Sequence, residues 1–238
     1  MMSHEVHVWR LRLTAEPWAV RILERALAAD ERERAQRFLF TVHRDRYIQS
    51  RAFLRHVLSR FLGGTPEEVR FQYGRYGKPE LAGSEQPLGF NLSHAGEWAM
   101  LSVCAAGRIG IDIEPIRPDH VTPGLVSQVF APNEQRALAE LPPQRHAEAF
   151  FKGWCSKEAY VKGLGLGFSR SLHSFEVCVD PDRPHRLLKG SAVDGSWFLH
   201  GIPVAAEYAG VLAIDREPVR ITASEWGSAD FGLERERP

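Results

Sequence analysis

Residues 109–123 read Ile109-Gly110-Ile111-Asp112-Ile113-Glu114-Pro115-Ile116-Arg117-Pro118-Asp119-His120-Val121-Thr122-Pro123, and the fold turns on this stretch. The three isoleucines alternate with Gly110, Asp112 and Glu114, the period of two of a strand with one apolar face and one face carrying both acids. Pro115, Pro118 and Pro123 then mark a connector. Outward from it the chain divides in two. On the N-terminal side Val6, Val8, Leu11 and Leu13 predict an opening strand, Pro17 with Ile22, Leu23, Ala26 and Leu27 a first helix, and Asp30 the N-cap of a second. A longer helix is expected over 45–62, with Ile48, Leu54, Val57, Leu58 and Phe61 on one stripe and Gly63-Gly64 at its end. Strand-like runs at 69–73, 88–92 and 98–104 follow, the last two joined at Ala95-Gly96-Glu97. On the C-terminal side the pattern predicts a short helix after Asn133, a longer one over 144–162 and strands over 174–179, 197–202 and 208–214. The expected layout is α+β: halves over 1–114 and 115–225, each with helices on a small antiparallel sheet, and a poorly ordered tail over 226–238.

Composition narrows the function classes. The chain has 238 residues, 44% hydrophobic and 25% charged, which excludes a disordered protein. Thirty basic side chains balance thirty acidic ones, so neither a nucleic acid nor a membrane surface is the expected partner. Cys104, Cys155 and Cys178 form no C-x-x-C pair, which argues against a disulfide framework or structural zinc and for a reducing compartment. The N-terminus lacks the apolar core of a signal peptide and no 18-residue apolar run occurs, so a cytoplasmic location is expected. Charge is nevertheless segregated. Residues 31–60 hold eight arginines against three acids, either a solvated helical surface with i, i+4 pairs or a surface for phosphates.

The acids give the chemistry its candidates. Asp112 and Glu114 lie about 6.6 Å apart along their strand, on a face that meets either water or a cation. In the predicted helix Phe150-Phe151-Lys152-Gly153-Trp154-Cys155-Ser156-Lys157-Glu158-Ala159-Tyr160-Val161-Lys162, the 100° step sets Glu158 among Phe151, Trp154 and Val161. A carboxylate on that apolar stripe needs a partner. A metal shared with Asp112 and Glu114, with the oxygen ligands magnesium prefers, is one reading, and an ion pair with Lys162 is the other. Gly163 is expected to cap this helix. The run Gly163-Leu164-Gly165-Leu166-Gly167 is no dinucleotide fingerprint, because residues 168–179 read as strand, and Gly74-Arg75-Tyr76-Gly77-Lys78-Pro79 lacks the Walker serine or threonine. H-E-x-x-H, G-x-S-x-G and catalytic cysteine signatures are absent.

Three segments together carry a resemblance: Tyr76-Gly77-Lys78-Pro79 with Phe90-Asn91-Leu92-Ser93-His94, then residues 109–114, then residues 154–162. Their order, spacing and composition resemble the 4'-phosphopantetheinyl transferase superfamily, in the double-length type like the surfactin-synthetase activator. The resemblance implies a monomeric pseudo-dimer of two similar α/β halves. It implies transfer of phosphopantetheine from coenzyme A to a serine of an apo acyl or peptidyl carrier protein, with release of adenosine 3',5'-bisphosphate. It further implies that Asp112, Glu114 and Glu158 hold Mg2+, with Mn2+ an alternative, and that Glu158 is the base for the incoming serine. Lys162 is implied at the pyrophosphate, Lys78, Ser93 and His94 at the coenzyme A phosphates or nucleotide, and Arg34 at the 3'-phosphate, with Arg46 and Arg51 as further candidates. Glu31 departs from the pattern, standing where some members have lysine. Carrier proteins are small and acidic, with their serine at the start of a helix, so an apolar docking surface with some basic rim is expected. Its expected place is along the connector after Pro115 and the helix after Pro123, where Val121, Leu125, Val126 and Val129 are grouped, residues that could equally be core. The competing readings are a non-catalytic module that binds coenzyme A or a carrier, and a magnesium phosphohydrolase.

Overall fold

Where residue 5 begins the first apolar alternation, the computed structural model, which describes residues 5–83, 88–190, 195–218 and 220–233, forms β1 (Glu5–Arg12). Helices α1 (Pro17–Leu23), α2 (Ala29–Gln36) and α3 (Thr41–Leu62) follow. Gly63 closes α3 in the left-handed region at φ 74°, as its position after the apolar stripe predicts. A small hairpin, β2 (Phe71–Tyr73) and β3 (Pro79–Leu81), leads to β4 (Gly89–Ala95), β5 (Trp98–Cys104) and β6 (Ile109–Pro115). After the proline connector come α4 (Pro123–Val129), α5 (Pro132–Ala139) and the 19-residue α6 (His146–Leu164). The chain ends with β7 (Glu176–Val177), β8 (Leu187–Lys189), β9 (Phe198–Gly201), β10 (Tyr208–Ile214) and β11 (Arg220–Trp226).

Beside the two-stranded pairs β2-β3 and β7-β8, two larger sheets organise the fold, in the orders β11-β1-β5-β4 and β6-β10-β9. Strand alternation stacks them into layers. On β1 and β5, Leu11, Ala99, Leu101 and Val103 face Phe53, Leu54, Val57 and Leu58 of α3, while Val6, Val8 and Met100 face the second sheet. There they meet Ile109, Ile111 and Ile113 of β6 and Leu212 and Ile214 of β10. The opposite face of β10, Val211 and Ala213, packs on Cys155, Ala159 and Tyr160 of α6. The result is helix, sheet, sheet, helix. Fully burying each such Leu, Ile, Val or Phe contributes roughly 1.5–3 kcal/mol.

The α+β reading holds, with three differences in detail. The division expected between 114 and 115 does not follow the sheets: β6 pairs with β10 in the second sheet, and β11, unforeseen in the sequence, returns to pair parallel with β1 in the first. The first sheet is therefore mixed rather than antiparallel. The tail expected from 226 is packed at its start, with Trp226 2% exposed and Phe231 against His56 and Trp226, while residues 234–238 lie outside the described residues. Finally, α6 runs through Gly163 to a cap at Gly165, φ 72°, and the expected strand over 168–179 is two 3-10 turns and the two-residue β7.

Candidate active site

The same alternation that buries the isoleucines of β6 sends Gly110, Asp112 and Glu114 toward α6. Asp112 is 2% exposed, so the acid face meets a helix rather than water. From α6, Glu158 and Lys162 stand one turn apart. At the seam between the sheets β4 runs beside β6, and Asn91 Oδ1 accepts the Ile111 N–H at 2.8 Å. Two residues on, the Ser93 hydroxyl donates to Asp112 Oδ1 at 3.0 Å. The Lys162 ammonium donates to the same Oδ1 at 2.5 Å and to Ser93 Oγ at 2.9 Å. Of the two readings for Glu158, the ion pair with Lys162 is not the one that forms: Lys162 pairs with Asp112 instead. Asp112 Oδ2 is buried with no hydrogen-bond partner.

Negative charge is in excess here. Burial first, then Asp112 and Glu158, pushes the Glu114 carboxyl up to about 7, against the pull of Lys162 and Arg117. Burial and then Asp112 also raise Glu158. Burial opposes the Lys162 ammonium, but Asp112 and Glu158 outweigh it and its pKa ends above the ordinary lysine value. Burial pushes up the Cys155 thiol behind Asp112, so it is no nucleophile. Two carboxylates whose charged forms are disfavoured by burial and by repulsion from Asp112, beside that carboxylate with its unpartnered oxygen, form a donor set suited to a hard divalent cation. Among the described residues no three His, Cys, Asp or Glu side chains stand close enough to enclose an ion as they are placed, and Lys162 is the cation that Asp112 now contacts.

The residues expected at the nucleotide divide. His94 is accessible at the rim; the crowding of its ring, then the charges of Lys162, Arg34 and Arg46, lower its pKa, which puts both arginines within electrostatic reach of the site. Arg34 is exposed over the Tyr47 ring, and Arg46 is 3.8 Å from Glu97. Arg51 goes elsewhere: its Nε donates to Glu31 at 2.6 Å, and Glu31 also holds Arg55 at 2.6 Å. At 3% exposure Glu31 is thus a structural counter-ion that ties α2 to α3, which explains the acid at a position expected to be basic. Lys78 is also committed, its Nζ donating to the Ile109 carbonyl at 2.9 Å and the Gly163 carbonyl at 3.0 Å.

Two cavities meet the last turns of α6. One of about 460 Å3 lies between α4, α6 and residues 167–172, with Leu125, Val129, Trp154, Val161 and Leu172 as walls and Glu158 and Lys162 at one side. The other, about 490 Å3, is bordered by Tyr76, Lys78, Arg108 and Gly163. Of the expected docking residues, Val129 is buried and Val121, Leu125 and Val126 are half-buried in one apolar cluster with Phe130 and Phe150, so core packing claims most of them and Leu125 and Val129 also face the first cavity.

Residues 108–213 match the model of the 4'-phosphopantetheinyl transferase superfamily, and residues 14–106 that of the 4'-phosphopantetheinyl transferase N-terminal region. The 4'-phosphopantetheinyl transferase HetI of Nostoc sp. (strain PCC 7120) is 38% identical over 189 residues, 79% of either chain. The chain belongs to the 4'-phosphopantetheinyl transferase superfamily. A 4'-phosphopantetheinyl transferase of Bacillus subtilis is 31% identical over 157 residues, 66% of this chain and 68% of its own. A solved structure described as a Chronobacterium ammoniagenes ACPS-CoA complex is 21% identical at a TM-score of 0.35, covering 46% of this chain and 96% of its own. In this phosphopantetheinyl transferase the acids, Lys162, Ser93 and His94 lie together at the end of α6 and the facing strands, and Leu125 and Val129 are among the residues expected at a docking surface. Arg170 and Leu172 join the cavity wall without a signal in the sequence, because they reach it only when the turns over 167–174 fold back on α6.

Proposed function

We propose that this transferase passes 4'-phosphopantetheine from coenzyme A to the serine hydroxyl of an apo acyl or peptidyl carrier protein, with a divalent ion, Mg2+, held by Asp112, Glu114 and Glu158. The observation that carries this reading is the surplus of three carboxylates, Asp112 buried and Glu114 and Glu158 half-buried, over one lysine, with Asp112 Oδ2 left without a partner. Mg2+ would supply charge neutralisation for the pyrophosphate as its bond to the departing adenosine bisphosphate stretches.

The chain's own groups do the rest. Glu158 borders the apolar cavity, and its raised pKa makes it a stronger base for the serine proton than an ordinary glutamate. Lys162, cationic and anchored by Asp112 and Ser93, presents its charge to the pyrophosphate. Arg34 and Arg46 form the cationic rim for the 3'-phosphate, with His94 beside them as a neutral hydrogen-bonding group. The carrier docks over the cavity edged by Leu125 and Val129, whose walls exclude water from the phosphoryl group. A monomer in the cytoplasm is the proposed state. No helix among the described residues is long and apolar enough to cross a membrane, and all three cysteines are buried free thiols.

Mass spectrometry of apo carriers incubated with coenzyme A and Mg2+ tests the reading. The pantetheine increment on the carrier serine is expected, and lost with EDTA; release of free phosphopantetheine without carrier labelling would favour hydrolysis instead.

A further inference from the structure

At Gly110 and Gly163 the backbones of β6 and α6 touch directly. A Cβ on Gly110 would collide with the Ala159 carbonyl oxygen and the Gly163 amide, and one on Gly163 with the Trp197 ring. No side chain separates strand from helix at this point. The next residues facing the same way on β6 are Asp112 and Glu114, and on α6 Lys162 adjoins the contact, with Glu158 one turn before it. The height at which α6 crosses β6 therefore sets the separation of the strand-borne acids from the helix-borne pair.

Lys78 spans this crossing. It reaches in from the turn between β2 and β3, and its Nζ donates to the carbonyl of Ile109, the first residue of β6, and to that of Gly163, in the last turn of α6 where carbonyls lack helical partners. Its stem packs against Gly165, where an added Cβ would stand 3.4 Å from Lys78 Cδ. Burial lowers its pKa to about 8, as suits an ammonium whose work is to bridge two dipoles inside the protein.

We propose that Lys78 is a positioning residue for the transfer reaction: by clamping the start of β6 to the end of α6 across the Gly110–Gly163 contact, it fixes Asp112 and Glu114 against Glu158 and Lys162, and it is not itself a phosphate ligand. The inference rests on the transferase reading above but names a different task for Lys78. Removing the clamp leaves two carbonyls unpaired and lets the helix shift along the strand. Supporting groups of this kind cost about 10–100-fold in metal affinity or activity when lost.

The test compares wild type with Lys78→Met, Lys78→Arg and Gly110→Ala in three measurements: calorimetric binding of coenzyme A without carrier, Mn2+ binding by electron paramagnetic resonance, and steady-state transfer. For Lys78→Met the expectation is a kcat lower by about tenfold or more and Mn2+ binding weakened by about tenfold, with coenzyme A affinity within about twofold of wild type. Lys78→Arg, which keeps the donors, recovers part of both losses, and Gly110→Ala reproduces them from the other side of the crossing. Should Lys78→Met fail to fold, the other two variants decide. A loss of coenzyme A affinity of about tenfold with kcat preserved would make Lys78 a direct ligand and overturn the proposal, as would unchanged kcat and Mn2+ binding in all three variants. A wild type that binds coenzyme A and Mn2+ yet transfers nothing would refute the proposed function alone, since the two binding measurements still decide the clamp.

Discussion

Helices α3 and α6 each cover one sheet, and each brings charge into the interior, but they settle it differently. Beneath α3, Glu31 is held between Arg51 and Arg55, a buried acid with two guanidinium partners. On the face turned away from Asp112 and Glu114, α6 does the same: Lys157, fully buried, meets Glu134 at 2.7 Å and donates to the carbonyls of Leu172 and Phe175. Where α6 faces Asp112 and Glu114, three carboxylates share a single lysine. Breaking a matched buried pair endangers the fold, whereas an unmatched cluster persists at a cost to the fold and marks the place where chemistry needs it.

Substitutions on the two sides should therefore fail in opposite ways. Glu158→Gln should lower carrier labelling by about 10³-fold or more while leaving the urea midpoint unchanged or raised, because a repelling charge is removed. A labelling rate near wild type would erase the contrast between the halves. Glu31→Gln should do the reverse. It strands Arg55 in the interior at a cost of about 3–5 kcal/mol in denaturant unfolding, while kcat of the folded fraction stays within about twofold. A stable variant with lost activity would place Glu31 in the site instead.

A titratable group held neutral by the fold sharpens the comparison through pH. Burial, then Lys152 and His200, lowers His185 to about 4 from the ordinary 6.5. A histidine kept neutral by the fold contributes stability that is whole above pH 6.5 and is lost as pH falls from 6.5 toward 4, by at most about 3 kcal/mol. His185→Gln should flatten that part of the stability curve. If it does not, burial there is less costly than the packing implies. The smallest effect is expected at Leu125→Glu, a rise of about fivefold in KM for the carrier with KM for coenzyme A unchanged, read by steady-state labelling.

Much of this arrangement is legible in the amino-acid sequence. Alternation at Ile109, Ile111 and Ile113 announces both the strand and the common face of Asp112 and Glu114, and the apolar stripe places Glu158 in the interior. What escapes depends on partners far away in the chain. β11 has few buried side chains and is a strand because β1 offers it an unpaired edge. Arg51 and Lys78 look like phosphate cations in sequence, since nothing nearby announces Glu31 across α2 or the carbonyls of Ile109 and Gly163. The cap at Gly165 rather than Gly163 follows from Gly163 being the residue whose missing Cβ lets α6 reach β6.

Manganese resonance on the coenzyme A-bound protein addresses the shared cation most directly. One tightly held ion per chain is expected for wild type and none for Asp112→Asn at equal coenzyme A occupancy; an unchanged signal in the variant, or no bound ion in wild type, would contradict the assignment of these three acids to one metal.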